Sequence, residues 1–283
     1  MTKKLFWAQP YEKEFEATII AIRKEGVVLD QTLFYSEGGG QASDRGILKA
    51  GNLKFEVEDV FKKGKEIIHH IKSDFQDKLK VGDKVIGIID WVYRYGLMKA
   101  HSSQHIFSAI ILRKFNIETT RVKIDFEDVS FNLAQEISYN QLKSAFQETN
   151  VICTLDNHEI VGEIISLEEA KKFSNQIRGD IPKEDAIRLI RAENCDLVCC
   201  GGTHVQNTTE IGPLVIYSFQ KGKDIIPLLT FSQKGPFAGI DPLSTAVSLG
   251  HICQALEGLM MLGQTEFSVI TGRPGADQKL PVG

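Results

Sequence analysis

Apolar and polar residues alternate in short segments through residues 1–90. Residues 15–23, 26–30, 46–49, 53–61 and 66–72 carry β-branched or aromatic positions at a period of two and are closed by Gly, Asn or charged residues. Residues 81–90 are the last such segment, as one bent strand or a strand pair. Many short strands at this spacing predict a small β-barrel. Three consecutive glycines within residues 34–46 interrupt the alternation and read as a loop.

The period changes at Asp90, which is placed to cap a helix running from residue 91 to about 115. Leu97, His101, His105, Ala109 and Leu112 fall on one stripe of that helix, so the two histidines continue an inward-looking face. Residues 121–133 alternate like a strand or hairpin. Residues 138–150 have a Ser cap and helical spacing, while 151–155 and 159–161 resemble strands. Ser166 and Glu169 form a capping box ahead of a short helix. Residues 186–191, 197–199, 212–219 and 225–232 are further strand candidates. Helices and strands interleave without a βαβ rhythm, which predicts an α+β fold. The expected organisation is an N-terminal β-barrel domain over residues 1–90, an α+β metal-binding domain over 91–235, and a tail over 236–283. The tail contains Leu249, Ile252, Leu256, Leu259 and Met260 at helical spacing. It reads either as a docking or self-association helix, which would make a homodimer, or as an appendage foreign to the fold.

Composition narrows the class. The chain has 283 residues, 42% hydrophobic and 25% charged, as in ordinary globular proteins. No apolar run reaches membrane-spanning length, and the first residues lack a signal-peptide pattern, so a cytoplasmic location and no membrane partner are expected. Five cysteines without framework spacing suit reduced thiols. A net charge of −4 argues against a general nucleic-acid binder but leaves room for a local basic face.

Two ligand pairs stand out. His101 and His105 are four apart on the predicted helix, so both imidazoles can aim at one ion. Cys200-Gly-Gly-Thr-His204 places Cys and His on either side of a glycine turn. Together they supply three His and one Cys, a full tetrahedral set for zinc. Cys195 and Cys199 are possible substitutes for Cys200. A four-ligand set suits a structural site, whereas a catalytic one needs an open position or a displaceable ligand, and spacing leaves both open. The third motif, residues 37–46, exposes backbone N–H groups at Gly38, Gly39 and Gly40. It is neither a Walker loop nor a dinucleotide fingerprint, because the spacing and the following residues are wrong for both.

Residues 29–46, His101-Ser-Ser-Gln-His105 and Cys200-Gly-Gly-Thr-His204, in this order and rough spacing, resemble the AlaX-type alanyl-tRNA editing proteins, which are similar to the editing domain of alanyl-tRNA synthetase. The resemblance spans residues 1 to about 235. The departures are Ser36 and Cys199, where that family usually or often has Pro. The editing domain of threonyl-tRNA synthetase shares the metal pairs but lacks the glycine-rich stretch. The resemblance implies an ATP-independent hydrolase that acts in trans and removes serine or glycine wrongly esterified to tRNA(Ala). It implies one zinc per chain, held by His101, His105, Cys200 and His204. It also implies that Thr32 recognises the seryl hydroxyl. Thr32 and Gln41 are the candidate catalytic residues, and Gly38, Gly39, Gly40 and Thr203 the candidate substrate contacts. Arg94, Lys99 and Arg121, with Arg113, Lys114 and Lys123, are candidates for a basic face toward tRNA. Editing of mischarged tRNA(Thr) and a non-catalytic, zinc-stabilised tRNA-binding module are the alternatives.

Overall fold

The structure is a computed structural model that describes residues 2–72, 74–126, 128–184, 186–219 and 227–230. The expectations for the 236–283 tail lie outside these residues. Strand β1 (Lys3–Lys4) leads through a 3-10 turn to β2 (Glu14–Ile22), β3 (Gly26–Leu29) and β4 (Gln31–Thr32). Strands β5 (Gly46–Ala50), β6 (Leu53–Lys63), β7 (Glu66–Ile71) and β8 (Lys84–Ile89) follow. Six of these close an antiparallel barrel in the order β2-β3-β7-β6-β5-β8, while β4 pairs in parallel with β1. Alternation along β2 puts Phe15, Ala17 and Ile19 inside, where they meet Leu48, Phe55, Val57 and Val85. Burial of these side chains is what sets the strand register, since a slip of one residue would turn each of them outward.

Helix α1 (Trp91–Phe115) leaves the barrel directly from β8. The Asp90 carboxylate caps it by accepting from the Tyr93 backbone N–H at 3.2 Å, and Asn116 ends it in the left-handed region at φ 54°. Its middle is buried on every side rather than along one stripe: Ser102, Ser103, Gln104 and Ser108 are enclosed together with His101 and His105. The polar side chains find partners within that enclosure. Ser103 donates to the Ala100 carbonyl at 2.7 Å and Gln104 to the Ser108 hydroxyl at 2.6 Å.

Strands β9 (Thr119–Ile124) and β10 (Asp128–Leu133) form a hairpin after α1. Helix α2 (Tyr139–Thr154) then opens on a complete capping box of Ser138 and Gln141. The strand expected at residues 151–155 is instead the last turn of α2. Ile152 and Cys153 continue the buried face of Leu142, Ala145 and Thr149, so the helical period outweighs the local β-branched run. Strand β11 (Ile160–Ser166) leads into α3 (Leu167–Lys172), whose Ser166/Glu169 capping box is formed. Strands β12 (Ala186–Ala192), β13 (Asp196–Cys199), β14 (Val215–Phe219) and β15 (Pro227–Thr230) complete the described chain. They sort into a β11-β12-β13 sheet and a β14-β15-β10-β9 sheet. The apolar side of α1 packs with α2 and both sheets into one core that includes Leu97, Ile106, Phe107, Phe131 and Ile190.

One candidate RNA contact is corrected here. Arg94 is fully buried, with its Nε 2.7 Å from Asp44 Oδ1, a second guanidinium N–H on Asp44 Oδ2, and others on the carbonyls of Pro10 and Leu33. All its reach is spent inside the fold, tying α1 to the glycine-motif segment. Arg113 and Lys114 are also committed, both to Glu148 of α2. Lys99 is half-buried, with its ammonium 4.7 Å from the Tyr95 ring centre. Arg121 and Lys123 are exposed on β9. The proposed basic face therefore reduces to those two. Replacing Arg94 with Leu leaves Asp44 charged and unpaired, and chemical denaturation is expected to show a loss of about 3–5 kcal/mol.

Candidate metal centre

The four ligand candidates converge although they come from two distant stretches of chain. His101 and His105 project from consecutive turns of α1, and Cys200 and His204 from the loop after β13. Their donor atoms all lie within 4.8 Å of one another. The three imidazole rings are mutually packed, with centroids 4.4, 4.6 and 4.8 Å apart. Cys200 Sγ is 3.4 Å from both His101 Nε2 and His204 Nε2.

Two glycines permit this approach. A Cβ on Gly202 would stand 2.2 Å from His101 Cε1, so only glycine lets the loop cross the imidazole. The Gly38-Gly39-Gly40-Gln41 segment is a tight turn with reciprocal backbone bonds between Gly38 and Gln41 at 3.0 and 3.2 Å. Its central residues have φ of +58° and +85°, as a type I′ turn requires. A Cβ on Gly40 would lie 2.3 Å from the Val122 carbonyl oxygen of β9. Gly40 is thus demanded by strand contact, and what the turn delivers to the centre is Gln41.

Gln41 determines which nitrogen of His101 faces the cluster. Its Oε1 accepts from the Thr203 backbone N–H at 3.0 Å, and its Nε2 donates to Thr203 Oγ1 at 2.9 Å. The backbone donor fixes the amide orientation, so the 2.7 Å contact between Gln41 Oε1 and His101 Nδ1 has the imidazole donating. Nε2 of His101 is left with its lone pair toward Cys200. Ser102 Oγ performs a similar service for His204. It lies 3.2 Å from His204 Nδ1 while accepting from the Val205 N–H at 3.2 Å. Around His105 the outer partner is Asp196, whose Oδ2 is 3.7 Å from Nδ1 and which is held by Arg178 at 2.6 and 2.8 Å. His105 Nδ1 is buried with no hydrogen bond of its own at this separation.

The electrostatics suit a metal more than a proton. Burial lowers the pKa of His101 to about 3, with Arg188 and Arg178 adding to the effect. Burial, and then the neighbouring imidazoles, hold His105 and His204 well below the ordinary value. All three rings are neutral ligands at pH 7. Burial raises the Cys200 thiol, against which the Gly202 N–H and Arg188 favour the thiolate. Arg188 donates to the carbonyls of Cys200, at 3.3 Å, and Gly202, so it also clasps the loop. Three neutral imidazole nitrogens and one thiol, enclosed and supported from outside, fit a divalent ion of the zinc type.

Known proteins similar in sequence to this chain come from alanyl-tRNA metabolism. Residues 2–93 match the family of class II (A) tRNA synthetases, and residues 187–225 the threonyl and alanyl tRNA synthetase second additional domain. The alanyl-tRNA editing protein AlaX-L of Pyrococcus horikoshii is 34% identical over 226 residues, which are 78% of this chain and 55% of that protein. The chain is a homologue of the AlaX-type alanyl-tRNA editing proteins. Alanine–tRNA ligases of Ignicoccus hospitalis and Sulfurisphaera tokodaii are 31% and 36% identical over 81% and 79% of the chain, which are 26% and 25% of the ligases. The chain therefore spans about half the editing protein and about a quarter of each ligase.

Of the other sequence candidates, Gln41 and Thr203 reach the cluster, while Gly38 and Gly39 border a cleft beside Cys200. Thr32 is placed differently. It is fully buried, with its hydroxyl 2.8 Å from His69 Nε2 and accepting from the Phe34 N–H at 3.0 Å. His69 Nδ1 is 3.2 Å from the Val27 carbonyl, which can only accept, so Nε2 is the acceptor and Thr32 the donor. The Thr32 proton is thereby engaged within the barrel. Ser102, Arg178, Arg188 and Asp196 support the centre without being ligands of either pair in the sequence. Their one local signal is proximity in sequence to a ligand pair, which does not show the side chain's direction.

Two outcomes are expected. Asp196→Asn removes the charge behind His105, and competition with a chromophoric chelator should show zinc affinity lower by about 10–100-fold. Thr32→Val leaves His69 Nε2 buried without a donor. Denaturant titration should show a loss of about 1–3 kcal/mol, which must be separated from any change in substrate choice.

Proposed function

We propose that the chain hydrolyses the ester joining a wrong amino acid to tRNA(Ala), with serine and glycine as the amino acids removed. The observation that supports this best is the buried His101, His105, Cys200 and His204 cluster with Gln41 and Thr203 against it, in a homologue of alanyl-tRNA editing proteins. Zinc bound by these four side chains would supply Lewis acidity toward an ester carbonyl or a water. The chain's own residues do the rest. Gln41 and Thr203 lock the His101 ring and close one side of the centre. Arg188 and the Trp7 indole, which donates to the Gly201 carbonyl at 2.9 Å, hold the loop that carries Cys200 and His204. An ester yields more readily than an amide, so positioning beside a polarising centre suffices without a serine nucleophile. Thr32 retains an acceptor lone pair to which a seryl hydroxyl would donate and a methyl would not. The side chain is fully buried and does not line the cleft beside Cys200, so selection of serine through Thr32 requires the barrel to open there.

A second reading has its own observation. Four protein ligands complete a tetrahedral shell, which suits a zinc-stabilised tRNA-binding module without catalysis. One experiment separates the two. Zinc-loaded protein is incubated with seryl-tRNA(Ala), glycyl-tRNA(Ala) and alanyl-tRNA(Ala), with and without chelator. Release of serine or glycine well above that of alanine, falling to background with chelator, is the expected result. Tight tRNA binding with no release of any amino acid would establish the module instead.

A further inference from the structure

A cleft of about 210 Å³ opens beside Cys200, between the N-terminal segment, the glycine turn and the β12–β13 side of the metal loop. Three basic residues, Lys4, Lys62 and Arg188, line it against one acid, Glu184. Among the described residues neither lysine has a carboxylate within ion-pair distance. Lys62 reaches over the glycine turn, its Nζ 3.7 Å from where a Cβ on Gly38 would stand. Lys4 Nζ rests 4.0 Å from the centre of the Trp7 ring, and Trp7 is bonded to the metal loop at Gly201. Burial lowers the pKa of Lys4, the charge of Lys62 adds to this, and Glu184 acts against it. Three basic side chains against the single carboxylate of Glu184 leave an excess of positive charge in the cleft beside the metal centre, which favours an anion from outside.

The substrate's chemistry limits what that anion is. In an aminoacyl ester the carboxyl carries no charge and the α-amino group is positive, so the amino acid has nothing to offer these lysines. The only anions are phosphates, and the one nearest the ester is on the same terminal nucleotide. A cleft below the roughly 300–1,000 Å³ of drug-sized sites admits a sugar-phosphate and excludes a duplex. We infer that this cleft seats the phosphate of the terminal nucleotide of the charged tRNA, gripped by Lys4 and Lys62, so that the ester beyond the ribose reaches the metal centre. The inference rests on the hydrolase reading above.

The test uses two minimal substrates, serine esterified to adenosine and serine esterified to adenosine 5′-phosphate, with zinc-loaded protein. The 5′-phosphate should lower KM by about tenfold, roughly one charge-assisted contact's worth. In the Lys4→Gln/Lys62→Gln double variant that ratio should fall to about one, and Lys4→Arg/Lys62→Arg should restore it. Calorimetry provides an arm independent of turnover: AMP should bind more tightly than adenosine or inorganic phosphate, and the Gln variant should lose that advantage. Equal KM for the two esters in the unaltered protein would overturn the assignment. So would AMP binding indifferent to the lysines, and inorganic phosphate matching AMP would overturn the nucleotide assignment. If neither ester is hydrolysed while AMP binding still depends on the lysines, the hydrolase reading fails and the anion seat stands.

Discussion

The buried ion pair between Arg94 and Asp44 is the constraint on which the centre depends. It joins the first turns of α1 to the segment that follows the glycine turn, with both side chains fully withdrawn from water. Desolvating two charges is costly, and the cost is offset only because the guanidinium also reaches the carbonyls of Pro10 and Leu33 and the carboxylate accepts from the Tyr35 N–H. Such a pair tolerates little displacement. It therefore sets where the barrel loop stands relative to the helix, and so where Gln41 meets His101.

Given that placement, hydrogen-bond chemistry selects the ligand atoms. Every imidazole in the cluster has its Nδ1 toward an oxygen of a supporting side chain: Gln41 for His101, Ser102 for His204 and, at longer range, Asp196 for His105. The inner nitrogens of His101 and His204 turn to the thiol. Burial keeps the rings unprotonated, so a metal would meet neutral ligands and have only the thiol proton to displace. The same enclosure that favours a metal also shapes the approach to it. The N-terminal segment and the glycine turn, both from the barrel half of the chain, wall the cleft on one side of Cys200.

Much of this was legible in the residues alone. The barrel alternation, the helix from residue 91 to 115 with its Asp90 cap, the Ser166 capping box and the α+β class are written in local period and capping chemistry, which depend on neighbours in sequence. The four ligand types were equally visible, because His and Cys at intervals of four form a recognisable pattern. Residues 151–155 misled because a β-branched run has the same local look in a strand and at the buried end of a helix. Arg94 misled because charge in a sequence carries no mark of burial. Its partner, Asp44, is fifty positions away.

By itself, then, the sequence determined the periodic elements, the ligand chemistry and the glycines without which the chain could not close on itself. Only the tertiary structure decided which partner each polar side chain meets. That Gln41 supports His101, that Thr32 gives its proton to His69, and that Lys4 and Lys62 face one cleft all follow from long-range packing. The physical reason is one of range. Helical and strand periods arise from bonds a few residues apart, whereas a buried polar group takes whichever complementary partner the closed fold brings within 3 Å or so, and no local pattern encodes that choice.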